Sequence, residues 1–179
     1  MTRKAVFLDR DGVINKTVMR DGKPLPPSCF EELEIIDGVR EALDVFKKDG
    51  LALICVTNQP DVARGNQKQE TVELIHERLL KELPLDRIYV CYEDGEAPHR
   101  RKPKPGMLLE AADEFGIDLS KSFMVGDRWK DIEAGRRAGC KTILIDYGYG
   151  EENTVTPDKI VKSLFDSIDY IINNKRSLQ

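Results

Sequence analysis

The sequence has no long hydrophobic run. None of its apolar stretches approaches the roughly 20 residues that a membrane-spanning helix needs. The first apolar run, AVFL at residues 5–8, is also far too short for the core of a signal peptide. We therefore expect a cytoplasmic protein that has no membrane partner.

Cysteine is scarce, and no two cysteines form a C-x-x-C pair. The four that are present lie far apart, at Cys29, Cys55, Cys91 and Cys140. In a cytoplasmic chain we expect such thiols to be reduced. Cys55 and Cys140 lie in apolar surroundings and are predicted to be small residues of the core.

An excess of positive charge is also absent. The 28 basic and 32 acidic residues give a net charge of −4. A broad attraction to nucleic acid or to an anionic membrane is therefore disfavoured, although a local basic patch can still bind one small phosphorylated molecule. We expect such a molecule as the partner, and a monomer or weak dimer as the state in solution.

Nothing in the sequence divides the chain. It shows no shift of composition, no long linker and no internal repeat, and its length is that of one ordinary domain. With 40% hydrophobic and 34% charged residues it is neither disordered nor of low complexity. We predict a single domain over residues 1–179.

Strand-like apolar runs alternate with amphipathic helical stretches along the chain. Continuous apolar strands separated by helices indicate a parallel sheet covered on both faces, which is a doubly wound, Rossmann-like α/β fold. Two inserts, residues 13–32 and 93–105, are too short to form a large cap domain. The predicted strands are residues 4–9, 51–57, 87–91, 122–125 and 142–145, and the predicted helices are residues 38–48, 71–83, 107–115, 131–138 and 163–173.

Polar segments stand at the ends of four predicted strands. DRDG at residues 9–12 follows the first strand, and TNQ at residues 57–59 ends the second. RKPKPG at residues 101–106 follows the third, and GDRWKD at residues 126–131 ends the fourth. Because ligands of doubly wound sheets bind outside the carboxyl ends of the strands, we expect these segments to meet there.

Carboxylates that crowd together repel one another unless a cation shares them. Oxygen ligands of this kind suit Mg²⁺, which keeps waters and a substrate phosphate among its ligands. A lysine and a threonine beside the metal would contact further phosphoryl oxygens. Each segment alone is ordinary for a turn, a strand end or a helix start, and only their order along one sheet indicates phosphate chemistry.

The four segments resemble the four motifs of the haloacid dehalogenase superfamily. In form they are similar to those of its D,D-heptose 1,7-bisphosphate phosphatase and histidinol-phosphatase branch, and the likeness runs from about residue 4 to about residue 147. The resemblance implies a Mg²⁺-dependent phosphomonoesterase that acts through a phosphoaspartyl intermediate. It also implies a small sugar phosphate as substrate. The expected substrate is D-glycero-D-manno-heptose 1,7-bisphosphate, from which the 7-phosphate is removed.

The resemblance assigns catalytic roles to four residues. By match to the motifs, Asp9 is expected to be the nucleophile, and Asp11 to protonate the leaving oxygen and then activate water. Thr57 and Lys102 are expected to stabilise the oxygens of the transferring phosphoryl group.

The resemblance also implies a metal site. The Asp9 carboxylate, the Asp11 backbone carbonyl and Asp127 are expected to hold Mg²⁺. Asp131 is expected to support this site through a water molecule or by orienting Lys102.

Substrate recognition carries over only in part. Arg101 of the RKP motif is expected to contact substrate, and Asn58 and Gln59 to line the pocket. Arg64, in the ARG loop beyond TNQ, is a candidate for contact with a second phosphate or else an ordinary helix-entry arginine. Arg128 is a further candidate, because it follows the metal-binding aspartate.

The chain departs from this branch in two places. Many members carry a zinc loop with four cysteine and histidine ligands, whereas here only Cys91 and His99 remain, so zinc is not expected. Residues 17–20 (TVMR) and the Pro60-Asp61 pair also differ from the usual sugar-contacting pattern, which leaves the exact sugar open.

Other functions remain open at this point. Histidinol phosphate and a nucleic-acid 3′-phosphate are alternative substrates, although the acidic chain disfavours the second. A phosphoacceptor receiver domain uses similar side chains but places its acceptor aspartate after the third strand, where this sequence has Val90, Cys91 and Tyr92.

Overall fold

A computed structural model of the chain describes residues 2–149 and 155–177. In chain order the strands are β1 (Ala5–Leu8), β2 (Val18–Arg20), β3 (Lys23–Leu25), β4 (Ala52–Asn58), β5 (Arg87–Cys91), β6 (Phe123–Gly126), β7 (Lys141–Ile145) and β8 (Lys159–Val161). The helices are α1 (Val39–Lys48), α2 (Gln69–Glu82), α3 (Gly106–Phe115), α4 (Trp129–Ala138) and α5 (Ile168–Ser177).

Six of these strands form one parallel sheet in the order β5-β4-β1-β6-β7-β8. β1 lies inside the sheet, and its last residue, Leu8, pairs with Cys55 of β4 on one side and Val125 of β6 on the other. The carboxyl ends of these three strands therefore lie side by side. This register brings the first, second and fourth polar segments to the same edge.

The sheet has a hydrophobic core on each face. Alternate residues of β1 point to opposite sides, with Val6 and Leu8 in one core and Ala5 and Phe7 in the other. Buried apolar side chains of α1, α2 and α5 pack in the first core, and those of α3 and α4 pack in the second. The predicted doubly wound α/β fold with covered faces is confirmed.

All five predicted strands are present, within one or two residues of their predicted ends. The sixth sheet strand, β8, was not predicted, and the final helix begins at Ile168 after a 3₁₀ turn at Phe165–Ser167, later than the predicted residue 163. The stops predicted for α3 and α4 are observed, because Gly116 and Gly139 adopt left-handed backbone angles with φ of 63° and 87°.

The insert after β1 contains a small hairpin of the antiparallel strands β2 and β3. Its turn places Asp21 and Gly22 at φ of 51° and 72°, as a tight two-residue hairpin turn requires. Neither this insert nor the loop after β5 adds a further sheet layer, in agreement with the predicted lack of a large cap. Among the described residues, no helix has the length and apolar character to cross a membrane.

All four cysteines are free thiols. Cys55 and Cys140 are buried in the two cores, as predicted.

Candidate active site

A cleft of about 300 Å³ opens at the carboxyl edge of the sheet, above β1, β4 and β6. It gathers residues from all four polar segments and from the β2–β3 hairpin. The predicted site residues that line it are Asp9, Asp11, Asn58, Arg64, Arg101, Lys102, Asp127, Arg128 and Asp131. Two others, Thr57 and Gln59, are buried behind this wall, with 1% and 2% of their surface exposed.

Lys102 lies at the centre of the cleft although its side chain is only 2% exposed. Its ammonium group donates to Asp9 Oδ1 at 2.7 Å and to the carbonyl oxygen of Val56 at 2.8 Å, and it lies 2.6 Å from Asp131 Oδ1. The three hydrogens of the ammonium group match these three acceptors. Lys102 therefore joins the ends of β1, β4 and α4.

Asn58 holds the backbone on which Lys102 is carried. Its Nδ2 donates to the Lys102 carbonyl at 3.0 Å, and its Oδ1 accepts from the Lys102 N–H at 3.1 Å. Both ends of the amide are thus engaged by one residue of the loop after β5. In this arrangement Asn58 positions Lys102.

Three carboxylates meet beside Lys102. One oxygen from each of Asp9, Asp127 and Asp131 lies within 4.8 Å of the others. Both oxygens of Asp127 are buried and have no hydrogen-bond partner among the described residues. Since an unpartnered buried carboxylate is costly, a cation is the natural occupant of this position.

The electrostatics of the cluster agree with this interpretation. Burial and the negative charges of Asp9 and Asp131 raise the pKa of Asp127 to about 8. Burial raises the pKa of Asp9 to about 7, aided by Asp131 and Asp11 and opposed by Lys102. A divalent cation would favour the ionised form of both groups.

Asp131 is the carboxylate of the cluster with the most protein contacts. Oδ1 contacts Lys102, and Oδ2 accepts the backbone N–H of Arg128 at 3.1 Å at the start of α4. Both oxygens therefore have partners within the protein. This geometry fits the expectation that Asp131 orients Lys102.

Close packing makes glycine necessary at two positions of the site. A Cβ on Gly12, whose φ is 83°, would stand 2.3 Å from Asp127 Oδ2. A Cβ on Gly126 would stand 2.0 Å from the Asp131 Cβ. The glycines of the first and fourth segments thus leave room for the carboxylates.

Asp11 lies outside the three-carboxylate cluster and has its own set of donors. Its Oδ1 accepts from Nε and Nη2 of Arg10, at 3.2 and 3.0 Å, and from Nδ2 of Asn15 at 2.9 Å. Its Oδ2 accepts from Nε2 of Gln59 at 2.8 Å. The Asp11 side chain is 16% exposed and lines the cleft.

Gln59 links Asp11 to Thr57. The same Nε2 that donates to Asp11 also donates to Thr57 Oγ1 at 2.9 Å, so both hydrogens of the amide are engaged. The structure therefore brings Gln59 to two candidate catalytic side chains rather than to the open cleft.

Arg64 and Arg101 meet on one wall of the cleft. Asp94 joins them, with Arg64 Nε and Nη2 at 2.7 and 2.9 Å and Arg101 Nη2 at 3.1 Å. Arg64 also contacts Asp61 at 3.3 Å. Two cations from different loops are thereby held side by side at the cleft, where they can face an anionic group.

Arg128 also lines the cleft. Its guanidinium lies 5.0 Å from the centre of the Tyr149 ring, and its Nη2 is 3.4 Å from the Pro24 carbonyl oxygen. Arg128 therefore links α4 to the β2–β3 hairpin.

The two possible zinc ligands have other contacts. His99 Nε2 lies 3.2 Å from Glu110 Oε1, and Cys91 Sγ is 3.9 Å from the Glu93 carbonyl oxygen. Among the described residues, the one cluster of three or more potential metal-binding side chains is Asp9, Asp127 and Asp131. The expectation that the chain binds no zinc stays a prediction.

Several residues of the site were not predicted from the sequence. Arg10 and Asn15 donate to Asp11, His76 contacts Arg10, and Asp94 joins the two arginines. Arg10 stands inside the first motif, but an arginine between two aspartates gives no sign that it is fully buried. His76 and Asp94 carry no motif, and only their tertiary contacts identify them.

Comparison with known proteins places this geometry in a family. The model of the HAD-hydrolase-like family matches residues 99–167. The D-glycero-D-manno-heptose-1,7-bisphosphate 7-phosphatase of Chlorobaculum tepidum is 33% identical over 198 residues, which cover 97% of each chain. The chain belongs to the haloacid dehalogenase-like phosphatases.

Further relatives of this phosphatase agree. The D-glycero-beta-D-manno-heptose-1,7-bisphosphate 7-phosphatase of Helicobacter pylori is 38% identical over 179 residues, covering 95% of this chain and 98% of its own. The crystal structure of D,D-heptose 1,7-bisphosphate phosphatase from B. bronchiseptica, complexed with magnesium and phosphate, superposes with a TM-score of 0.81. It is 26% identical and covers 95% of this chain and 98% of its own.

Proposed function

We propose that this phosphatase removes a phosphoryl group from a small sugar phosphate by transferring it first to Asp9. The observation that carries the proposal is the cluster itself. Asp9 lies at the end of β1 with Lys102 on its Oδ1, next to a buried carboxylate, Asp127, whose oxygens have no hydrogen-bond partner among the described residues. This arrangement suits a nucleophile, a cation and a metal acting on one phosphoryl group.

In the first step a carboxylate oxygen of Asp9 attacks phosphorus, and the bond from phosphorus to the sugar oxygen breaks. Asp11 gives its proton to that oxygen, so the sugar leaves as an alcohol. In the second step Asp11 takes a proton from water, whose oxygen attacks phosphorus. The acyl phosphate bond breaks, which releases inorganic phosphate and restores the Asp9 carboxylate. Lys102 and Thr57 are proposed to stabilise the phosphoryl oxygens.

The proposed cofactor is Mg²⁺. The donor set fits it, because Asp9 and Asp127 supply hard carboxylate oxygens at a buried position, and both Asp127 oxygens have no hydrogen-bond partner among the described residues. The Asp11 backbone carbonyl is the third proposed protein ligand. When bound, the metal would neutralise charge between the Asp9 carboxylate and the phosphate.

The proposed substrate is D-glycero-D-manno-heptose 1,7-bisphosphate, hydrolysed at its 7-phosphate. Two relatives that cover nearly the whole chain carry this activity in their names. The pair Arg64 and Arg101 supports a substrate with a second phosphate, since two guanidinium groups at one wall of the cleft suit a dianion that is not transferred. Asn58 and Gln59 are proposed to act by holding Lys102 and Asp11, and Arg128 is proposed to contact the substrate from the start of α4.

The experiment is a substrate panel with the wild type and two variants. With Mg²⁺ present, the panel contains both anomers of heptose 1,7-bisphosphate, histidinol phosphate, a 3′-phosphorylated oligonucleotide and p-nitrophenyl phosphate. We expect kcat/KM to be highest for one heptose anomer, Asp9→Asn to abolish turnover, and the exposed control Asp113→Asn on α3 to retain it. Near-wild-type activity of Asp9→Asn would reject the covalent mechanism, and preference for another ester would reject the substrate.

A further inference from the structure

Arg10 stands between the two candidate catalytic aspartates, and its side chain is completely buried. Nε and Nη2 donate to Asp11 Oδ1, and Nη1 lies 3.0 Å from Nε2 of His76 on α2. Buried polar groups in proteins are almost always hydrogen-bonded, so the hydrogens of a fully buried guanidinium are expected to point to acceptors. His76 is therefore the acceptor that fixes the far side of this guanidinium.

The contact determines the state of the histidine ring. A guanidinium has donors only, so His76 Nε2 must accept, and the ring is neutral with its hydrogen on Nδ1. Burial and the positive charge of Arg10 lower the pKa of His76 to about 3, which agrees with a neutral ring. His76 is 7% exposed and is not among the residues that line the cleft.

The two oxygens of Asp11 differ as a result. Oδ1 receives two hydrogen bonds from Arg10 and one from Asn15, which fills its acceptor capacity. Oδ2 receives one, from Gln59, and keeps a lone pair. The oxygen that can exchange a proton at the cleft is therefore Oδ2.

We propose that His76 is a positioning residue for proton transfer by Asp11. By accepting from Arg10 it fixes the guanidinium that holds Oδ1, and this leaves Oδ2 to give a proton to the leaving oxygen and to take one from water. The proposal rests on the proposed acid–base role of Asp11. It assigns a function to a buried histidine that touches neither the cleft nor the carboxylate cluster.

The matched variants are His76→Leu, which removes the acceptor at similar size, and His76→Gln, which keeps an acceptor in its Oε1. The measurement is single-turnover cleavage of two esters. The sugar alcohol of heptose bisphosphate needs a proton as it leaves, whereas p-nitrophenolate leaves without one. Positioned acids contribute about 10²- to 10⁴-fold, and loss of position removes part of that contribution.

We expect His76→Leu to slow single-turnover cleavage of the sugar phosphate at least tenfold, with little change in the enzyme concentration that gives half of the maximal rate. In the same His76→Leu variant, we expect release of p-nitrophenolate in the first turnover to stay within about threefold of the wild-type rate. We expect His76→Gln to cleave the sugar phosphate within about threefold of the wild-type rate. Equal slowing of both esters, an unchanged His76→Leu, or failure of His76→Gln to restore the rate would overturn the proposal.

A second variant keeps the test decisive if His76→Leu does not fold. Arg10→Lys retains the charge but cannot form both hydrogen bonds to Asp11 Oδ1 together with the contact to His76. We therefore expect Arg10→Lys, like His76→Leu, to slow cleavage of the sugar phosphate much more than release of p-nitrophenolate. Uniform slowing of both esters by Arg10→Lys would count against the proposal. A wild type that cleaves neither ester would instead refute the proposed function itself.

Discussion

At the scale of single residues, Lys102 has the most demanding position in the site. Its ammonium group forms ion pairs with both Asp9 and Asp131, and its third hydrogen satisfies the Val56 carbonyl. Lys102→Ala would leave these carboxylates facing each other and remove a cation from the phosphoryl oxygens. We expect kcat to fall by two to three decades for every phosphate ester, which corresponds to about 3–4 kcal/mol.

The control for this variant is Lys104→Ala, because the Lys104 ammonium group donates to the Ala97 carbonyl at 2.9 Å and Lys104 is not among the residues that line the cleft. It is expected to keep kcat within about threefold of wild type. Steady-state kinetics on p-nitrophenyl phosphate and on heptose bisphosphate measure both variants. A Lys102→Ala enzyme whose loss appears only in KM would contradict a role on the transferring group.

Arg101 is expected to act on the part of the substrate that stays behind. Its guanidinium is held beside that of Arg64 by Asp94, away from the hydrogen bonds of Lys102. Arg101→Ala should lower kcat/KM for the bisphosphate by about 10- to 100-fold, as expected for one charged hydrogen-bonded contact. The rate with p-nitrophenyl phosphate, which has no second phosphate, should change much less.

The matched control is Arg100→Ala, since the neighbouring Arg100 pairs with Glu110 at 3.1 Å and does not line the cleft. The ratio of kcat/KM values for the two esters is the quantity to compare. If Arg101→Ala slows both esters by the same factor, Arg101 does not recognise a second phosphate.

The sequence could predict site residues that belong to strand-end segments, but not the residues that support them. Asp9, Lys102 and Asp127 stand in recognisable segments and meet in the cleft. Arg10 and His76 are 66 positions apart, and their contact exists only because α2 packs beside the end of β1. A pairing of this kind has no periodicity or spacing that a single sequence displays.

At the scale of elements, the buried strands were predictable because each is a continuous apolar run. β1 is buried at all four positions, and β4 at its first six. β8 has three residues, two of them exposed, at the edge of the sheet, so its sequence resembles a loop. The β2–β3 hairpin was missed for a similar reason, since none of its strand residues is buried.

Helix α4 offers a test of the close packing between helix and sheet. A Cβ on Gly135 would stand 2.5 Å from the Met124 Cβ of β6 and 2.9 Å from Thr142 Cγ2 of β7. Alanine in a helix interior gains about 1 kcal/mol over glycine, whereas overpacking of a core costs about 1–3 kcal/mol or more. We expect the clash to dominate and Gly135→Ala to destabilise the protein by about 1–2 kcal/mol.

Urea unfolding of Gly135→Ala measures this difference, with Glu133→Ala on the same helix as the control. Glu133 pairs with Arg137 in an i,i+4 surface contact, so its loss should change the free energy of unfolding by less than about 0.5 kcal/mol. A Gly135→Ala protein more stable than wild type would show that α4 can move away from the sheet.

At the scale of the whole molecule, the fold gathers charged side chains of both signs at one edge of the sheet. The chain carries a net charge of only −4, yet three carboxylates meet at the ends of β1 and β6. Lys102 pairs with Asp9 and Asp131, whereas the oxygens of Asp127 have no hydrogen-bond partner among the described residues. The hydrophobic cores on both faces of the sheet hold this edge together. Stability and metal binding should therefore be coupled.

That residues 1–179 form one domain stays a prediction.

The sign of this coupling follows from the raised pKa values. Asp127 and Asp9 have ordinary pKa values of 3.8 that rise to about 8 and about 7 in the folded protein. The metal-free folded state therefore keeps protons on these two carboxyl groups that the unfolded state has released. The stability that proton binding by Asp127 and Asp9 contributes declines as pH rises through about 7 and 8. His76, whose pKa is lowered to about 3, has the opposite effect but only below about pH 6.5.

We therefore expect the Tm of the metal-free protein in EDTA to fall between pH 6.5 and pH 8. Mg²⁺ at 100 times its Kd should add about 2.7 kcal/mol, which is roughly 5–10 °C for a chain of this size. At one fixed Mg²⁺ concentration, the gain in Tm should be larger at pH 8 than at pH 6.5, because protons compete with the cation for Asp127 and Asp9. Asp127→Asn removes the charge without much change of shape. It should weaken both the fall of Tm with pH and the gain in Tm from Mg²⁺.

Thermal unfolding of the wild type and of Asp127→Asn at the two pH values, with EDTA or Mg²⁺, measures these effects. A metal-free Tm that is constant or rises over this range would contradict the raised pKa values of the two carboxyl groups. A Mg²⁺ gain that Asp127→Asn retains in full would place the cation elsewhere than at this carboxylate.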